Sequence, residues 1–468
     1  MVHILLNRVG YTAPYRGIQP KTGQFVGKMN GIKNTARHVP PPSPIIRELT
    51  DMVFYAAIAM LPIDGTRIGI SLPYWTPISP WLFALYAVLN WRYLRDVLGR
   101  YLPFFVFPFV LIVVSTYGWS TIGIHPVQAL TSFVSIVLGL CCLASLEIAI
   151  WKKHLSVRRM VTVLVATYWF AFATGVIQFI ALLVNPAWKN VQIYFGELLL
   201  RPYVWSRPQF LFAEPSYIGM HLFGVLLPTY WLTKDRRIGI LVPVFAVGSS
   251  IMGAGTRIVL DSLVALFVWL LVAVNFKSIK ATAVFLSGLI TLGTSGIVAL
   301  IVNPRMNSLV THGLLSGDES MSSRIFHMLA PAWSWKHDLS HVLLGWGAGN
   351  ISDAVRTGYA GAKRWFDLHG GKSNSEIDKL SNPPANTFTM SAYVSFITEF
   401  GVLCFLCLLL AIVAYTTIHH AWNRMTVCWL LLLAYLFVQF ESYSFYAVPL
   451  FLCWAGGGSR RDIVPDHI

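Results

Sequence analysis

Charge is scarce in this chain, and acidic charge scarcer still. Of 468 residues, 20 are Asp or Glu against 35 Lys or Arg, and charged residues amount to 12%. A soluble globule of this length lacks, at that level, the polar side chains needed to cover its surface. Cysteine is absent outside apolar stretches: Cys141, Cys142, Cys404, Cys407, Cys428 and Cys453 all fall within them. That placement argues for packing rather than a disulfide framework, even for the CxxC of Cys404 and Cys407. No acidic residue precedes Glu48, and the chain does not open with an apolar stretch ending in a small-residue cleavage site. The first 47 residues, with Arg8, Arg16, Lys21, Lys28, Lys33, Arg37 and Arg47, therefore read as a basic cytoplasmic arm and not as a signal peptide. Internal repeats are lacking too, and low complexity is confined to the prolines of 40–44.

What is present is apolar residue, 56% of the chain, with a mean hydropathy of +0.61. Lipid is the natural solvent for such a sequence. A crossing needs roughly 20 predominantly apolar residues, and about twelve runs meet or approach that length. They lie at 50–63, 74–91, 102–119, 126–150, 160–184, 216–233, 238–254, 258–276, 281–302, 389–417, 425–442 and 445–458. The basic clusters Arg92/Arg95/Arg100, Lys152/Lys153/Arg158/Arg159, Lys234/Arg236/Arg237, Lys277/Lys280, Arg424 and Arg460/Arg461 occur at every second boundary. This is the positive-inside pattern, and it sets both termini on the cytoplasmic side. The formal charge of +15 thus fixes orientation near anionic headgroups, and nucleic acid is a poor second reading.

The expected fold is all-α, a polytopic transmembrane helical bundle with a large outer loop subdomain. Its parts are the basic arm at 1–49, nine spans in 50–302 interrupted by an outer loop at 185–215, the loop subdomain at 303–388, three spans in 389–458, and a cytoplasmic tail at 459–468. The large loop is near charge balance, as a folded subdomain is. Within it, 351–368 carries apolar residues at helical spacing and predicts an amphipathic helix near the membrane surface.

Four features place charge on the outer face. Arg207 to Glu214 ends where a span begins, and Pro215 suits a first helical turn. Glu214 reads either as a helix cap or as a carboxylate able to take a proton from a sugar hydroxyl. Arg257 follows a tight glycine turn, and Asp261 one turn later can hold its guanidinium. The functional reading presents Arg257 to an anion, whose oxygens match its planar fork of donors. Arg324 in Ser322-Ser323-Arg324 is a second such candidate, with His327 and His341 as ordinary loop histidines or bases. The glycines at Gly345, Gly347 and Gly349 lack the strand-to-helix setting of a nucleotide loop, and no nucleotide is available outside the cytoplasm. Asn386 to Ser391 then leads to Glu399 inside a span, where a carboxylate is costly and faces the bundle interior.

These features in this order resemble the O-antigen polymerase and ligase superfamily. The matching parts are Phe212-Ala213-Glu214-Pro215-Ser216, Gly255-Thr256-Arg257, Ser323-Arg324 with Leu343-Leu344-Gly345-Trp346-Gly347, and Tyr393 through Glu399-Phe400-Gly401. The resemblance implies a GT-C-like, metal-independent glycosyltransferase of the bacterial inner membrane, without a cofactor. Its donor and acceptor are undecaprenyl-diphosphate-linked glycans at the periplasmic face, and a flippase and a chain-length regulator are expected partners. Arg257 and Arg324 match positions that engage the donor diphosphate; Arg207, His327 and Asn386 complete the substrate-binding set, and Glu214, with His327 or His341 as rivals, is the proposed base. The chain departs from ligases of the family in having Met390-Ser391 where they have a His-Asn pair. The expectation is therefore a polysaccharide polymerase, with a ligase acting on lipid A core or protein as runner-up and a lipid-linked oligosaccharide flippase as the reading from another class. The carboxylates Glu376 and Asp378 read as a solvated loop rather than a metal site.

Overall fold

Backbone that cannot hydrogen-bond to solvent must satisfy its N–H and C=O groups internally, and each of the apolar runs contains a helix. The computed structural model describes residues 44–66, 75–184, 207–253, 255–273, 278–302, 304–336 and 338–457. The basic arm up to residue 43, most of the 185–215 loop and the tail from 458 lie outside the described residues. Among the described residues the regular structure is helical, and the only β pairing is an isolated bridge between Gly65 and Thr76.

The elements run α1 (Pro44–Ala59), α2 (Ser79–Leu89), α3 (Trp91–Arg100), α4 (Leu102–Thr121), α5 (Pro126–Glu147) and α6 (Val157–Val184). After the outer loop comes α7, a composite helix over 215–233 that passes through 3-10, α and π turns, then α8 (Arg236–Ile251), α9 (Thr256–Ala273) and α10 (Ile279–Val302). The loop subdomain holds α11 (Pro304–His312), α12 (Glu319–Ser334), α13 (Leu339–Leu344), α14 (Ile351–Leu368) and α15 (Ser375–Lys379). The chain closes with α16 (Ala392–Ile418), α17 (Arg424–Leu436) and α18 (Ala447–Gly456).

Among the described residues four helices are long and apolar enough to cross a membrane: α4, α5 with its π extension to Lys152, α6, and α16. Their outer faces carry exposed large apolar side chains, among them Phe109, Val113, Leu130, Phe170, Ile177 and Leu410. Water does not tolerate such a surface over this many helices, and lipid does. The chain is thus a helical membrane protein.

Two sequence expectations shift. The run at 50–63 becomes a helix that starts earlier, at Pro44, and stops at Ala59, leaving Met60 to Thr66 as a buried turn. The stretch Arg92 to Arg100, read as a basic boundary, is the amphipathic helix α3, which buries Val97, keeps Arg92 and Arg95 outward and turns Arg100 to the buried Glu147 at 3.0 Å.

One large core joins α1, α2, α5 to α9, α17 and α18, with Phe54, Trp75, Tyr86, Phe212, Phe245 and Trp429 inside it. The 303–388 segment has a small core of its own in which Phe326, Val355, Ala362, Phe366 and Ile377 are fully buried. That core corrects the orientation expected for 351–368. The helix is there, as α14, but its apolar face packs against α12 within the protein, so this face is covered by side chains and not by a membrane surface.

The glycine segment Gly345 to Gly349 has a mechanical use. Gly401 takes φ +80° inside α16, which breaks the helical ladder and leaves the carbonyls of Thr398 and Glu399 without their usual partners. Trp346 N–H donates to Thr398 O at 2.7 Å, and Gly347 N–H donates to Glu399 O at 3.0 Å. Gly349 N–H donates to the Glu399 carboxylate at 2.8 Å, and Ala348 N–H to Ser115 Oγ at 3.2 Å. These amides are spent on protein acceptors, as a latch between the loop subdomain and α16.

Candidate functional site

Glu214 stands at the N-terminal end of α7 with extended backbone (φ −144°, ψ 139°), the conformation of a cap. Its side chain does not cap the helix. It reaches instead to α12, where Arg324 Nη2 donates to Oε1 at 2.6 Å and also approaches Ser216 Oγ at 3.4 Å. The two side chains are 5% and 10% exposed. A charge-assisted bond at that burial is short and strong relative to neutral ones, and it joins the membrane bundle to the loop subdomain.

Arg257 is held from two sides. Its Nη1 donates to the backbone carbonyl of Gln439 at 2.6 Å, and its Nε lies 3.5 Å from Asp261 Oδ2, one turn along α9. Asp261 in turn accepts from Tyr435 Oη at 2.8 Å. Gly219 on α7 leaves the space this carboxylate occupies, since a Cβ there would overlap Asp261 Oδ2. The guanidinium is therefore oriented before any ligand arrives, which limits the ordering cost of binding.

Arg207, Glu214, Arg257 and Arg324 line one cleft, together with Arg305, Asp318, Ser216 and Gln439. The cleft is small and open to solvent, with a cavity volume of about 40 Å³. Four arginines against two carboxylates leave the lining net cationic. At the rim, Arg305 Nη2 lies 2.6 Å from Asp318 Oδ2, while Asp318 also caps α12 by accepting Met321 N–H at 2.9 Å. Planar donor forks converging on a small polar cleft suit an anion with several oxygens, such as a phosphate or diphosphate.

The structure does not bring every candidate together. His327 follows Arg324 on α12 but faces the loop subdomain, where Nδ1 donates to Phe388 O at 2.8 Å and Nε2 lies 3.2 Å from Glu376 Oε1. That contact is the main cause holding the Glu376 carboxyl below its ordinary range, against the opposing effect of burial. His341 is set apart beside α4, with Nδ1 2.7 Å from Asp338 Oδ2 and Nε2 2.9 Å from Thr121 Oγ1. Its hydrogen bond lowers the Asp338 carboxyl. Neither histidine lines the cleft, and Asn386 is exposed outside it. Glu399 is a staple rather than a charge partner for arginine, accepting from Ser132 Oγ at 2.6 Å, Gly349 N–H and Tyr443 Oη at 2.9 Å. Among the described residues, no three or more His, Cys, Asp or Glu side chains gather where a cation would be held.

The chain matches no family model, no characterised protein and no solved structure.

Several contributors escaped the sequence reading. Arg305 and Asp318 carry no local pattern that sets them apart from the other charges of the loop, and Gln439 takes part through its backbone, which no residue type announces. Glu441 accepts the N–H groups of Thr389 and Met390 at 2.7 and 2.8 Å and so shapes the turn before α16. Asp64 accepts the N–H of Ala213, next to Glu214. Asp64 and Glu441 share a legible signal, a carboxylate at the edge of an apolar run, where it must be paired inward.

Proposed function

We propose that this chain is a membrane glycosyltransferase that joins oligosaccharide repeat units carried on a lipid diphosphate, in a bundle of about twelve spans of GT-C-like type. The site lies on the periplasmic side of a bacterial inner membrane. The observation that carries the reading is a cationic cleft that Arg207, Arg257, Arg305 and Arg324 line together with Glu214. The reading of the charge clusters puts this cleft outside the cytoplasm, where glycosyl transfer draws its energy from a lipid-diphosphate leaving group rather than a nucleotide.

In the proposed reaction an acceptor hydroxyl oxygen attacks the anomeric carbon of the donor sugar. The bond from that carbon to the diphosphate oxygen breaks, and the electron pair leaves with the lipid diphosphate. Arg257 and Arg324 stabilise the charge that grows on this leaving group, an effect on the order of 3–4 kcal/mol for a well-placed donor. Arg207 and Arg305 neutralise the diphosphate at the rim. Arg324 is shared between Glu214 and the incoming anion, so donor binding loosens its hold on the carboxylate. Glu214 Oε1 then accepts the proton of the acceptor hydroxyl. His341 is engaged by Asp338 and Thr121 away from the cleft, and His327 is likewise committed to Phe388 and Glu376, so neither is placed to act there.

The test uses purified protein in detergent with lipid-linked repeat units. Polymer ladders without any sealed compartment are expected. Transfer of preformed chains to lipid A core without elongation identifies a ligase instead, and movement of lipid-linked units across vesicles without new glycosidic bonds identifies a flippase; either outcome overturns the polymerase.

A further inference from the structure

Behind Glu214, outside the cleft, three side chains form one hydrogen-bonded row in the core. Asp64 Oδ2 lies 2.9 Å from His221 Nε2, and His221 Nδ1 lies 2.7 Å from Tyr168 Oη. All three residues are 0% exposed. The second carboxylate oxygen, Asp64 Oδ1, accepts the N–H of Ala213, the residue immediately before Glu214. One arrangement of protons satisfies every member: Tyr168 O–H donates to His221 Nδ1, His221 Nε2–H donates to Asp64 Oδ2, and Ala213 N–H donates to Oδ1. The imidazole is also fixed sterically, with the centroids of the Phe212 and Phe445 rings 4.9 and 5.2 Å from its own.

This row ties the turn after α1, the middle of α6 and the first turns of α7 to a single backbone amide. Apolar side chains would hold these segments together at lower cost, because a carboxylate removed from water is expensive unless its oxygens are met. What apolar packing does not supply is a directional grip on the Ala213 N–H. Gly65 adds to this grip by letting the turn lie directly on Ala213, where a Cβ would overlap its Cα.

We propose that Asp64, backed by His221 and Tyr168, is a positioning residue that fixes the Ala213–Glu214 peptide so that the Glu214 carboxylate points into the arginine cleft. The proposal rests on the reading of Glu214 as the group that acts there. It predicts different behaviour from two substitutions of the same residue. Asp64→Asn keeps an oxygen for Ala213 N–H and offers Nδ2–H to His221 Nε2, whereupon the ring changes tautomer and donates Nδ1–H to the Tyr168 oxygen. Asp64→Ala removes both contacts.

The experiment follows three quantities in the full-length detergent-purified protein: hydrogen exchange of the peptide spanning Phe210 to Ser216, affinity for inorganic diphosphate, and the kcat and KM of polymer formation. For Asp64→Ala, faster exchange in that peptide and a kcat lowered about tenfold or more are expected, with diphosphate affinity and donor KM within about twofold of the wild type because the arginines stay in place. Asp64→Asn is expected to stay near the wild type in all three. Unchanged exchange in Asp64→Ala overturns the proposal, as does an Asp64→Asn variant as impaired as Asp64→Ala. Should Asp64→Ala fail to fold, Asp64→Ser, polar but too short to reach Ala213, is read the same way. If the wild type binds diphosphate but makes no polymer, the glycosyltransferase reading fails, and the exchange measurement still decides the role of Asp64.

Discussion

Glu214 and Arg324 are both withdrawn from water, and at that burial an ion pair contributes little net stability, because desolvating two charges offsets their attraction. Removing one partner is another matter. Arg324→Ala leaves a buried carboxylate unpaired, and a loss of about 3–5 kcal/mol is expected in detergent unfolding. Arg324→Lys keeps the charge without the fork and tests the site more cleanly. We expect it to fold, to bind inorganic diphosphate roughly tenfold more weakly, and to lose at least about a hundredfold in polymer formation; wild-type values in both assays would remove Arg324 from the site. At His327 the neighbouring carboxylate sets a pH dependence. Glu376 has its folded pKa lowered, chiefly by the hydrogen bond from His327. Its contribution to stability is therefore present above the ordinary glutamate range and is lost as pH falls through the lowered value. Thermal unfolding of the wild type and Glu376→Gln should converge in acid and diverge as pH rises through the glutamate range, and parallel curves would count against the contact.

Among the elements, α16 carries the clearest structural demand. Its break at Gly401 exposes two carbonyls to which Trp346 and Gly347 then donate their N–H groups, so the left-handed backbone and the latch depend on each other. A Cβ at Gly401 would meet Leu343 O and the amide of Gly345. Gly401→Ala is expected to destabilise the protein by about 1–3 kcal/mol and to raise hydrogen exchange at Trp346 and Gly347 before any other region. A variant with unaltered exchange there would show that the latch is not needed. The same element explains why a glycine-rich segment that suggests anion binding by composition does none here: its amides already have acceptors.

Over the whole molecule, the proposed orientation places the arginine cleft and the 303–388 subdomain on one side of the membrane and the Lys152/Lys153 and Lys234 to Arg237 clusters on the other. Reporter insertions after Lys234 and after Gly370 should respond as opposite compartments, with Gly370 outside. Equal responses would reverse the argument that nucleotides are excluded from the site. The long loop is a folded part of the protein, with a core around Phe326 and Phe366 that carries Arg324 against Glu214.

Hydropathy, a one-dimensional signal, was enough to locate the apolar helices within a few residues in most cases, and charges beside apolar runs marked Glu214, Arg257 and Arg324, which the structure brings to one cleft. The Arg257–Asp261 pair was legible for the same reason, since neighbours one helical turn apart meet whatever the fold. Only the tertiary structure decided that Arg324 crosses to Glu214, that Gln439 orients Arg257 through a carbonyl, that His341 stands apart beside Thr121, and that Asp64 reaches Ala213. Those contacts join residues far apart in the chain through backbone groups or buried carboxylates. Their partners follow from packing geometry, which no local pattern of residue types contains.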